Sequence, residues 1–271
     1  MDSDSLSYTL DFVAGNGGLY GTEKIIALKT SLEILKQNYK FQRVLLWGKI
    51  LTMKTIYYVA QGRGEDELTD RKYLYSFDCV NWFLLPSVTD SMIQQVAADA
   101  SGPFRGEPSF VYQARTNHSD EDTGAGLLVT EEMRLAVTVQ HIDEEASVVP
   151  RGAFIKTRDL VRLNRRFGGL SKAEGKTLDN YMHFREPKSV KKEDVQKRGD
   201  WSPSFDFLDV LSDDIPKGSW SLRWESDDKV YILSSLLWLG LTFYHVPTTP
   251  HHGYIYFGDG QKNVPLPHMI Q

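Results

Sequence analysis

The stretch 169–177 comes closest of all the sequence to a nucleotide-binding motif, because it ends in Gly175-Lys176-Thr177. A phosphate-binding loop also needs a glycine five residues before the second one, so that backbone N–H groups can wrap around phosphate. Leu170 occupies that position. Ser171 and Glu174 have instead the spacing of a capping box, in which each side chain bonds the other's backbone N–H at a helix start. The stretch therefore favours a capped helix over a nucleotide site.

A second set of residues follows part of the pattern of a calcium-binding loop. Asp120, Asp122 and Glu131 stand at three ligand positions of such a loop. Gly124 stands where a third side-chain oxygen is needed, and Ala125 where the turn of the loop needs glycine. The pattern favours a solvated acidic loop.

Three histidines near the C-terminus, His245, His251 and His252, could contribute to a metal site if a strand and a loop converge. No cysteine or closely spaced carboxylate completes the ligand set. An adjacent histidine pair in a loop with threonine and proline is more typical of exposed residues. We therefore predict no metal here.

Asp213 and Asp214 are adjacent acids that could act as the acid and base of a glycosidase. Neighbouring residues point apart in an extended chain, so they do not give the two opposed carboxylates that such an enzyme needs. The sequence also contains no Gly-x-Ser-x-Gly and no His-Glu-x-x-His motif. Residue chemistry alone predicts neither an active site nor a cofactor.

The composition is that of an ordinary globular protein, with 41% hydrophobic and 25% charged residues in 271. A net charge of −5 argues against a nucleic-acid-binding protein, whose usual surface is strongly basic. The single cysteine, Cys79, excludes an internal disulfide and fits a reducing compartment. No apolar run approaches the ~20 residues of a membrane-spanning helix, and the acidic N-terminus is unlike a signal peptide. We expect a protein of the cytosol or cytoskeleton that binds neither nucleic acid nor membrane.

The N-terminal part of the chain predicts two helices followed by strands. The first helix runs through Leu6, Leu10 and Val13 and stops at Gly15-Asn16-Gly17-Gly18. The second, residues 23–38, begins with Thr22 as its cap and buries Ile25, Leu28, Leu32 and Leu35. Strands at 44–51, 56–60 and 72–79 form a small antiparallel meander.

The middle of the chain mixes helices with irregular segments. Thr89 or Asp90 caps a short helix, and residues 101–128 form a flexible insert rich in glycine, proline and acids. Residues 131–145 fit both a helix and a strand, and we favour a helix. The remaining predictions are an edge strand at 148–156, a helix from Ser171 to about Phe184, a charged loop at 188–200 and a short amphipathic turn through Phe205, Leu208 and Leu211.

The C-terminal part, residues 218–257, predicts an antiparallel sheet. Trp220, Leu222 and Trp224 alternate with polar residues, so we expect these three side chains to be buried. The turn 226–228 leads into a second strand. Residues 236–246 are apolar on both faces, which indicates a central strand with Gly240 as a bulge. Residues 254–257 give a short aromatic strand.

These elements predict an α+β fold of antiparallel hairpins and meanders with several short flanking helices. We expect a single domain over residues 1–271. Its parts are the N-terminal helices and β-meander at 1–100, the flexible insert at 101–128 and a β-rich core at 205–271.

Distinctive sequence blocks are spread over most of the chain: Trp47-Gly48-Lys49-Ile50 with Tyr57-Tyr58, Pro150-Arg151-Gly152-Ala153, His183-Phe184-Arg185-Glu186-Pro187, Asp214 to Ser221, Ser235 to His245, and Gly253-Tyr254 through Lys262-Asn263. In this order they resemble the radial spoke head protein 9 family of ciliary axonemes. The resemblance is weak only around 100–127 and 188–204. Leu239 stands where the family has proline, and His268 where it has phenylalanine.

The resemblance implies a non-enzymatic structural subunit of the spoke head in the axoneme of cilia or flagella. Such a subunit would pack with radial spoke head proteins 4 and 6, face the central-pair apparatus and help relay signals that regulate dynein-driven motility. It leaves open whether the chain forms a homodimer, and it carries over no catalytic residue. The interaction or core candidates are Trp47, Tyr57, Tyr58, Trp220, Trp238, Phe243, Tyr244, Tyr254 and Tyr256.

Two further expectations concern the way in which this chain acts. If both faces of the strand 236–246 need cover, a partner subunit supplies part of it, with the segment 254–257 as an aromatic anchor. The alternatives are a carbohydrate- or small-ligand-binding β module and a hydrolase with dispersed acids. A pocket lined by exposed aromatic residues or by converging carboxylates would favour these alternatives.

Overall fold

The computed structural model describes residues 1–13, 20–113, 128–158, 160–188, 201–224 and 229–269. The helices in these ranges are α1 Leu6–Val13, α2 Thr22–Asn38, α3 Asp90–Asp99, α4 Glu131–Ala146 and α5 Leu266–Met269. The strands are β1 Arg43–Leu51, β2 Ile56–Arg63, β3 Arg71–Ser76, β4 Phe83–Leu84, β5 Val148–Pro150, β6 Phe154–Lys156, β7 Val161–Leu163, β8 Tyr181–His183, β9 Trp220–Trp224, β10 Tyr231–Ser235, β11 Leu241–His245 and β12 His252–Gly258. The predicted α+β class is confirmed.

One sheet of eight strands organises the molecule, in the order β4-β3-β2-β1-β12-β11-β10-β9. The meander β1–β3 and the pair β9–β10 are antiparallel, as predicted. The central pair is parallel: β1 lies beside β12, with Gly48 opposite Tyr256. The strands from the two ends of the chain therefore meet in the middle of the sheet. Two small two-stranded sheets, β5–β8 and β6–β7, stand beside it.

Helices of the chain itself cover both faces of the large sheet. On one face α4 packs Leu135, Val139 and Ile142 into a core with Trp47 and Tyr256. On the other face α1 and α2 contribute the side chains Leu6, Leu10, Leu28, Leu32 and Leu35. The expectation that a partner supplies part of the cover of the strand 236–246 is therefore wrong for the strand that forms, β11, because all five of its residues are buried within the chain.

The helix starts are partly as predicted. Residues 131–146 are helical, and the hydroxyl of Thr130 caps α4 by accepting a hydrogen bond from the backbone N–H of Met133 at 3.3 Å. Thr89 caps α3 in the same way. Thr22 is not the cap of α2, because Gly21 occupies that position and offers no side chain.

The helix predicted from Ser171 to Phe184 is wrong, although its capping box forms. The backbone N–H of Ser171 donates to Oε2 of Glu174 at 2.8 Å, and that of Glu174 donates to Oγ of Ser171 at 3.3 Å. Only two short 3₁₀ turns follow, Glu174–Lys176 and Leu178–Asn180. The chain then enters β8, because Tyr181–His183 pair with β5. Tertiary strand pairing thus overrides a local helix signal.

The edge strand predicted at 148–156 is divided into two strands that belong to different sheets. The backbone N–H of Ala153 donates to the carbonyl of Pro150 at 3.1 Å, which closes a turn. Gly152 in this turn has φ of 81°, in the region that favours glycine. The turn separates β5 from β6.

The single strand predicted at 236–246 is wrong in its first half. Residues 236–240 form the turn between β10 and β11, closed by a bond from the N–H of Leu241 to the carbonyl of Trp238 at 3.1 Å. Leu239 in this turn is exposed. Trp224, predicted to be buried, is 50% exposed, because it ends β9 at the edge of the sheet.

Other predicted ends differ in detail or cannot be compared. The third strand ends at Ser76 rather than at Cys79, and the turn through Phe205 to Leu211 is irregular apart from a 3₁₀ turn at Leu211–Asp213. Some predictions concern residues outside the described ranges: the helix stop at 15–18, the acidic loop 120–122, the turn 226–228 and most of the charged loop 188–200.

Candidate functional site

The nine residues predicted as interaction or core candidates all lie in the interior, with no more than 8% exposure each. Seven belong to the core beneath α4: Trp47, Tyr57, Trp220, Trp238, Phe243, Tyr254 and Tyr256. Tyr58 and Tyr244 lie in the core on the opposite face. Tyr254 and Tyr256 are 6% and 0% exposed, so they are core residues and not the accessible anchor expected at 254–257.

A carboxylate that the sequence analysis did not single out, Asp143, sits at the centre of a buried polar network. Its Oδ1 accepts hydrogen bonds from Tyr254 Oη at 2.5 Å and Trp47 Nε1 at 3.2 Å. Its Oδ2 accepts from Arg71 Nη1, Tyr73 Oη and Gln61 Nε2, at 2.6, 2.7 and 3.0 Å. Five donors therefore occupy both oxygens of one carboxylate.

Burial opposes ionisation of Asp143, but the charge of Arg71 and the hydroxyls of Tyr254 and Tyr73 outweigh it and lower the pKa of this carboxyl. Arg71 also donates to the carbonyl of Phe184 at 2.8 Å, and its guanidinium lies 4.6 Å from the Phe184 ring. Arg63 lies over the same ring at 4.8 Å and donates to Glu67 at 3.0 Å. The network thus connects the sheet, α4 and β8.

A second buried carboxylate, Glu131, organises the segment before α4. It accepts hydrogen bonds from the backbone N–H groups of Arg105, Gly106 and Glu107 at 2.7, 2.7 and 2.9 Å. The Tyr57 hydroxyl donates to it at 2.8 Å. Burial opposes its ionisation, but these bonds prevail and lower the pKa of Glu131. The first part of the predicted flexible insert is therefore anchored to α4.

The two carboxylates share a sequence signal that can be recognised in retrospect. Glu131, Leu135, Val139 and Asp143 recur every four residues and form one row of α4. All four are buried, so the row that faces the core begins and ends with an acid. Both acids are saturated with donors from their own chain, which is an arrangement suited to holding structure together.

The residues considered for chemistry serve structural contacts. His245 and His252 lie opposite each other on β11 and β12, whereas His251 is exposed. Asp214 accepts a hydrogen bond from Trp220 Nε1 at 2.7 Å and lies 2.8 Å from Nε2 of His183. The ammonium of Lys176 lies 5.4 Å from the ring of Trp224. Within the described ranges, no group of three or more His, Cys, Asp or Glu could hold a metal.

The most distinctive surface feature is a groove beside α2, here called the α2 groove, with a volume of about 500 Å³. Ile34 and Tyr39 form one side, and Val80 with Trp82 forms the other. Ile34, Tyr39 and Val80 are 52%, 42% and 56% exposed. The groove therefore presents apolar side chains to solvent.

Hydrogen bonds at the floor of the α2 groove fix its two sides to each other. Ser31 Oγ donates to the carbonyl of Cys79 at 2.7 Å and accepts from Trp82 Nε1 at 3.1 Å. Asp78 orders the turn by accepting from the N–H groups of Val80 and Asn81 at 2.9 and 2.8 Å. The groove is thus preformed.

Exposed apolar residues continue beyond the α2 groove. Ile26 is 63% exposed and lies two helical turns before Ile34 on the same side of α2. Leu84 of β4, at the edge of the large sheet, is 43% exposed and lies opposite Leu74, which packs in the core beneath α2. Its neighbour Phe83 is 50% exposed but packs its ring 5.5 Å from that of Tyr75, on the α4 face. The buried stripe of α2, from which the helix was predicted, gives no sign of this surface. A second apolar row at 26 and 34 was the available signal.

No helix in the described part of the chain is long and apolar enough to cross a membrane. A comparison with protein-family models gave no match. A comparison with individual proteins gave full-length similarities. The chain is 52% identical over 277 residues to the radial spoke head protein 9 homolog of Danio rerio. It is 42% identical over 277 residues to the homologs of Homo sapiens and Mus musculus. Each match covers 100% of both chains.

Proposed function

Since the chain belongs to the radial spoke head protein 9 family, we propose that it is a non-enzymatic structural subunit of the radial spoke head in the ciliary axoneme. The main support for a role in assembly is the α2 groove, which is preformed, apolar and exposed. Patches of this kind, with polar surroundings, are typical of protein–protein contacts. The buried acids Asp143 and Glu131 support the same proposal, because each is occupied by donors of its own chain.

The partners in this proposal are radial spoke head proteins 4 and 6, with the assembled head facing the central-pair apparatus. In that position the subunit would relay central-pair signals that regulate dynein-driven motility. We further propose that residues 1–271 act as one domain. The parallel pairing of β1 with β12 supports this, since it joins N-terminal and C-terminal strands in one sheet.

An apolar segment of a neighbouring spoke-head subunit is the occupant that we assign to the α2 groove. Stable subunit contacts bury ~1,200 to 2,000 Å² in total, more than one groove offers. Ile26 on the same helix and Leu84 of the edge strand β4 extend the apolar surface in two directions. Together they form a contact area with the groove at its centre, where binding energy is usually concentrated.

Gel filtration with purified radial spoke head protein 4, and then with protein 6, tests the proposal. The wild-type chain is expected to co-elute with one of them as a larger species. Ile34→Glu and Val80→Glu place a charge in the groove and should weaken the complex by a factor of about 30 or more, the effect of losing a central contact. Both side chains are exposed, so thermal unfolding of the free chain should change little.

Leu239→Glu is the matched control, because Leu239 is also exposed at 56% but belongs to the turn between β10 and β11. This variant should bind like the wild type. If Ile34→Glu and Val80→Glu also bind like the wild type, the α2 groove is not the contact surface. A wild-type chain that stays monomeric beside every other spoke-head subunit would overturn the assembly role itself.

The alternative of a carbohydrate-binding β module rested on aromatic residues that face a pocket. The nine aromatic candidates named from the sequence are buried instead. The exposed aromatic ring of the α2 groove, Tyr39, stands beside apolar side chains such as Ile34 and Val80, so we assign the groove to a protein partner and do not propose sugar binding.

A further inference from the structure

A second pocket, of about 600 Å³, lies at the N-terminal end of α2. The first turn of α2 forms one wall, and Lys49 of β1 with Tyr58 of β2 forms the other. Its lining residues do not overlap with those of the α2 groove. Its chemistry also differs, because two lysines and two tyrosine rings surround the space.

Neither of the two lysines that line the pocket has an acidic partner among the residues that the structure describes. Lys24 Nζ donates a hydrogen bond to Tyr58 Oη at 2.7 Å, and Lys49 Nζ lies 5.2 Å from the ring centre of Tyr20. Across the described ranges no salt bridge involves either lysine. Burial lowers the pKa of Lys49, and the charge of Lys24 lowers it further. An anion between them would relieve that repulsion.

The end of α2 adds a further attraction for an anion. The helix has 17 residues, and its cap residue, Gly21, offers no side chain to its first N–H groups. The unpaired N–H groups and the aligned peptide dipoles make such an end favourable for negative charge. Glu23 is the one carboxylate among the described lining residues, and it is exposed. Two lysines and one glutamate leave the lining with a net charge of +1.

An unpartnered hydroxyl points independently to a ligand. Tyr20 lines the pocket and is 6% exposed, and its hydroxyl is buried without a hydrogen-bond partner among the described residues. Burial raises the pKa of Tyr20, and the nearby Cys79 and Tyr58 groups raise it further, so the tyrosine stays a neutral donor. A buried donor of this kind normally has an acceptor. An oxyanion in the pocket would supply one.

We propose that this pocket binds an oxyanion, a carboxylate or phosphate group, held by Lys24, Lys49 and the N-terminal turn of α2, with Tyr20 as a hydrogen-bond donor. The proposal does not depend on the α2 groove or on the choice of spoke-head partner. It assigns to the protein a second recognition site of opposite chemical character, on the same helix.

Amide NMR of the full chain, titrated with sodium phosphate and separately with sodium acetate at constant ionic strength, tests the site. The amides of Thr22, Glu23 and Lys24 should shift in a saturable way. A response to both anions assigns a general oxyanion site, and a response to phosphate alone assigns a phosphate site. Lys24→Gln and Lys49→Gln should each weaken binding by about tenfold or more, since each removes a charged donor.

Lys29→Gln is the matched control, because Lys29 is an exposed lysine of α2 outside the pocket and its loss should leave binding unchanged. Gly21→Asp gives a second, independent test. A side chain at Gly21 meets no atom within 4 Å, so its carboxylate would reach the helix end and exclude the added anion. The proposal is overturned if neither anion gives a saturable shift, or if the shifts persist unchanged in both Lys24→Gln and Gly21→Asp.

Discussion

Arg71 donates a hydrogen bond of 2.6 Å from Nη1 to Oδ2 of Asp143, and the two side chains are only 9% and 1% exposed. This bond joins strand β3 of the large sheet to helix α4, 72 residues further along the chain. The two partners depend on each other, because removing one leaves a buried charge without compensation.

Asp143→Ala is therefore expected to lower the free energy of unfolding by ~3 to 5 kcal/mol, the usual cost of breaking a buried ion pair from one side. Urea denaturation at neutral pH measures it. Glu144→Ala, a partly exposed neighbour on the same helix, is the control and should change the value by less than ~0.5 kcal/mol. Equal, small effects of both substitutions would show that the Asp143 network does not stabilise the fold.

The histidine pair on β11 and β12, in which His245 is buried and His252 half-buried, predicts a loss of stability in mild acid. Burial lowers the pKa of His245 to about 4 and that of His252 to about 3, whereas an unfolded histidine titrates near ~6.5. As the pH falls below that value, these histidines bind protons in the unfolded chain but not in the folded chain, so the free energy of unfolding decreases. By linkage, His245 alone accounts for ~2 kcal/mol between pH 7 and pH 5.

Urea unfolding of the wild type and of His245→Gln at pH 7 and pH 5 checks this effect. In the variant, the difference in free energy of unfolding between pH 7 and pH 5 should be much smaller than in the wild type. The part of the difference that comes from His252 should remain. His251→Gln, at an exposed position, should retain the full difference. A wild type equally stable at both pH values contradicts the prediction.

Gly48 is expected to tolerate no side chain. Its φ is 148°, and a Cβ would lie 2.1 Å from the carbonyl oxygen of Tyr256 on the parallel neighbour β12. Gly48→Ala should destabilise the fold by at least ~1 to 3 kcal/mol, the range for a strained backbone position, because the central pair must move apart. Thermal or urea unfolding measures the change.

Gly168→Ala is the control for this substitution, since a Cβ there meets nothing within 4 Å and its φ lies outside the strained region. This substitution should leave the free energy of unfolding nearly unchanged. If Gly48→Ala is as stable as Gly168→Ala, the close approach of β1 and β12 is not a constraint on the fold.

Local signals in the sequence correctly predicted the helices and strands that are determined mainly by residues close together in the chain. The hydroxyl of Thr89, one of the two caps predicted for α3, starts that helix, and the strands predicted at 44–51 and 56–60 form as β1 and β2. Failures occurred where distant contacts decide the conformation. The capping box at Ser171 forms, yet the chain leaves the helical path within a few residues to pair β8 with β5.

The buried polar networks show the same limit at the level of side chains. A prediction based on the pattern of apolar residues places acids at the surface. Glu131 and Asp143 lie instead on the core-facing row of α4. Hydrogen-bond donors from residues far away in sequence, such as Tyr57, Arg71 and Tyr254, compensate for the loss of water around these carboxylates. Family resemblance could identify the chain, but it could not show which aromatic residues are interior and which surface is exposed.

The parallel pairing of β1 with β12 determines when the sheet can be completed during synthesis. A ribosome that has released β1 and β2 must still produce about two hundred residues before β12 is available. Until then one edge of β1 lacks its neighbour, and such an edge is prone to pairing with other chains. Loss of residues from 252 onward would leave that edge permanently open, so a late truncation should cause aggregation of the whole protein rather than loss of a peripheral tail.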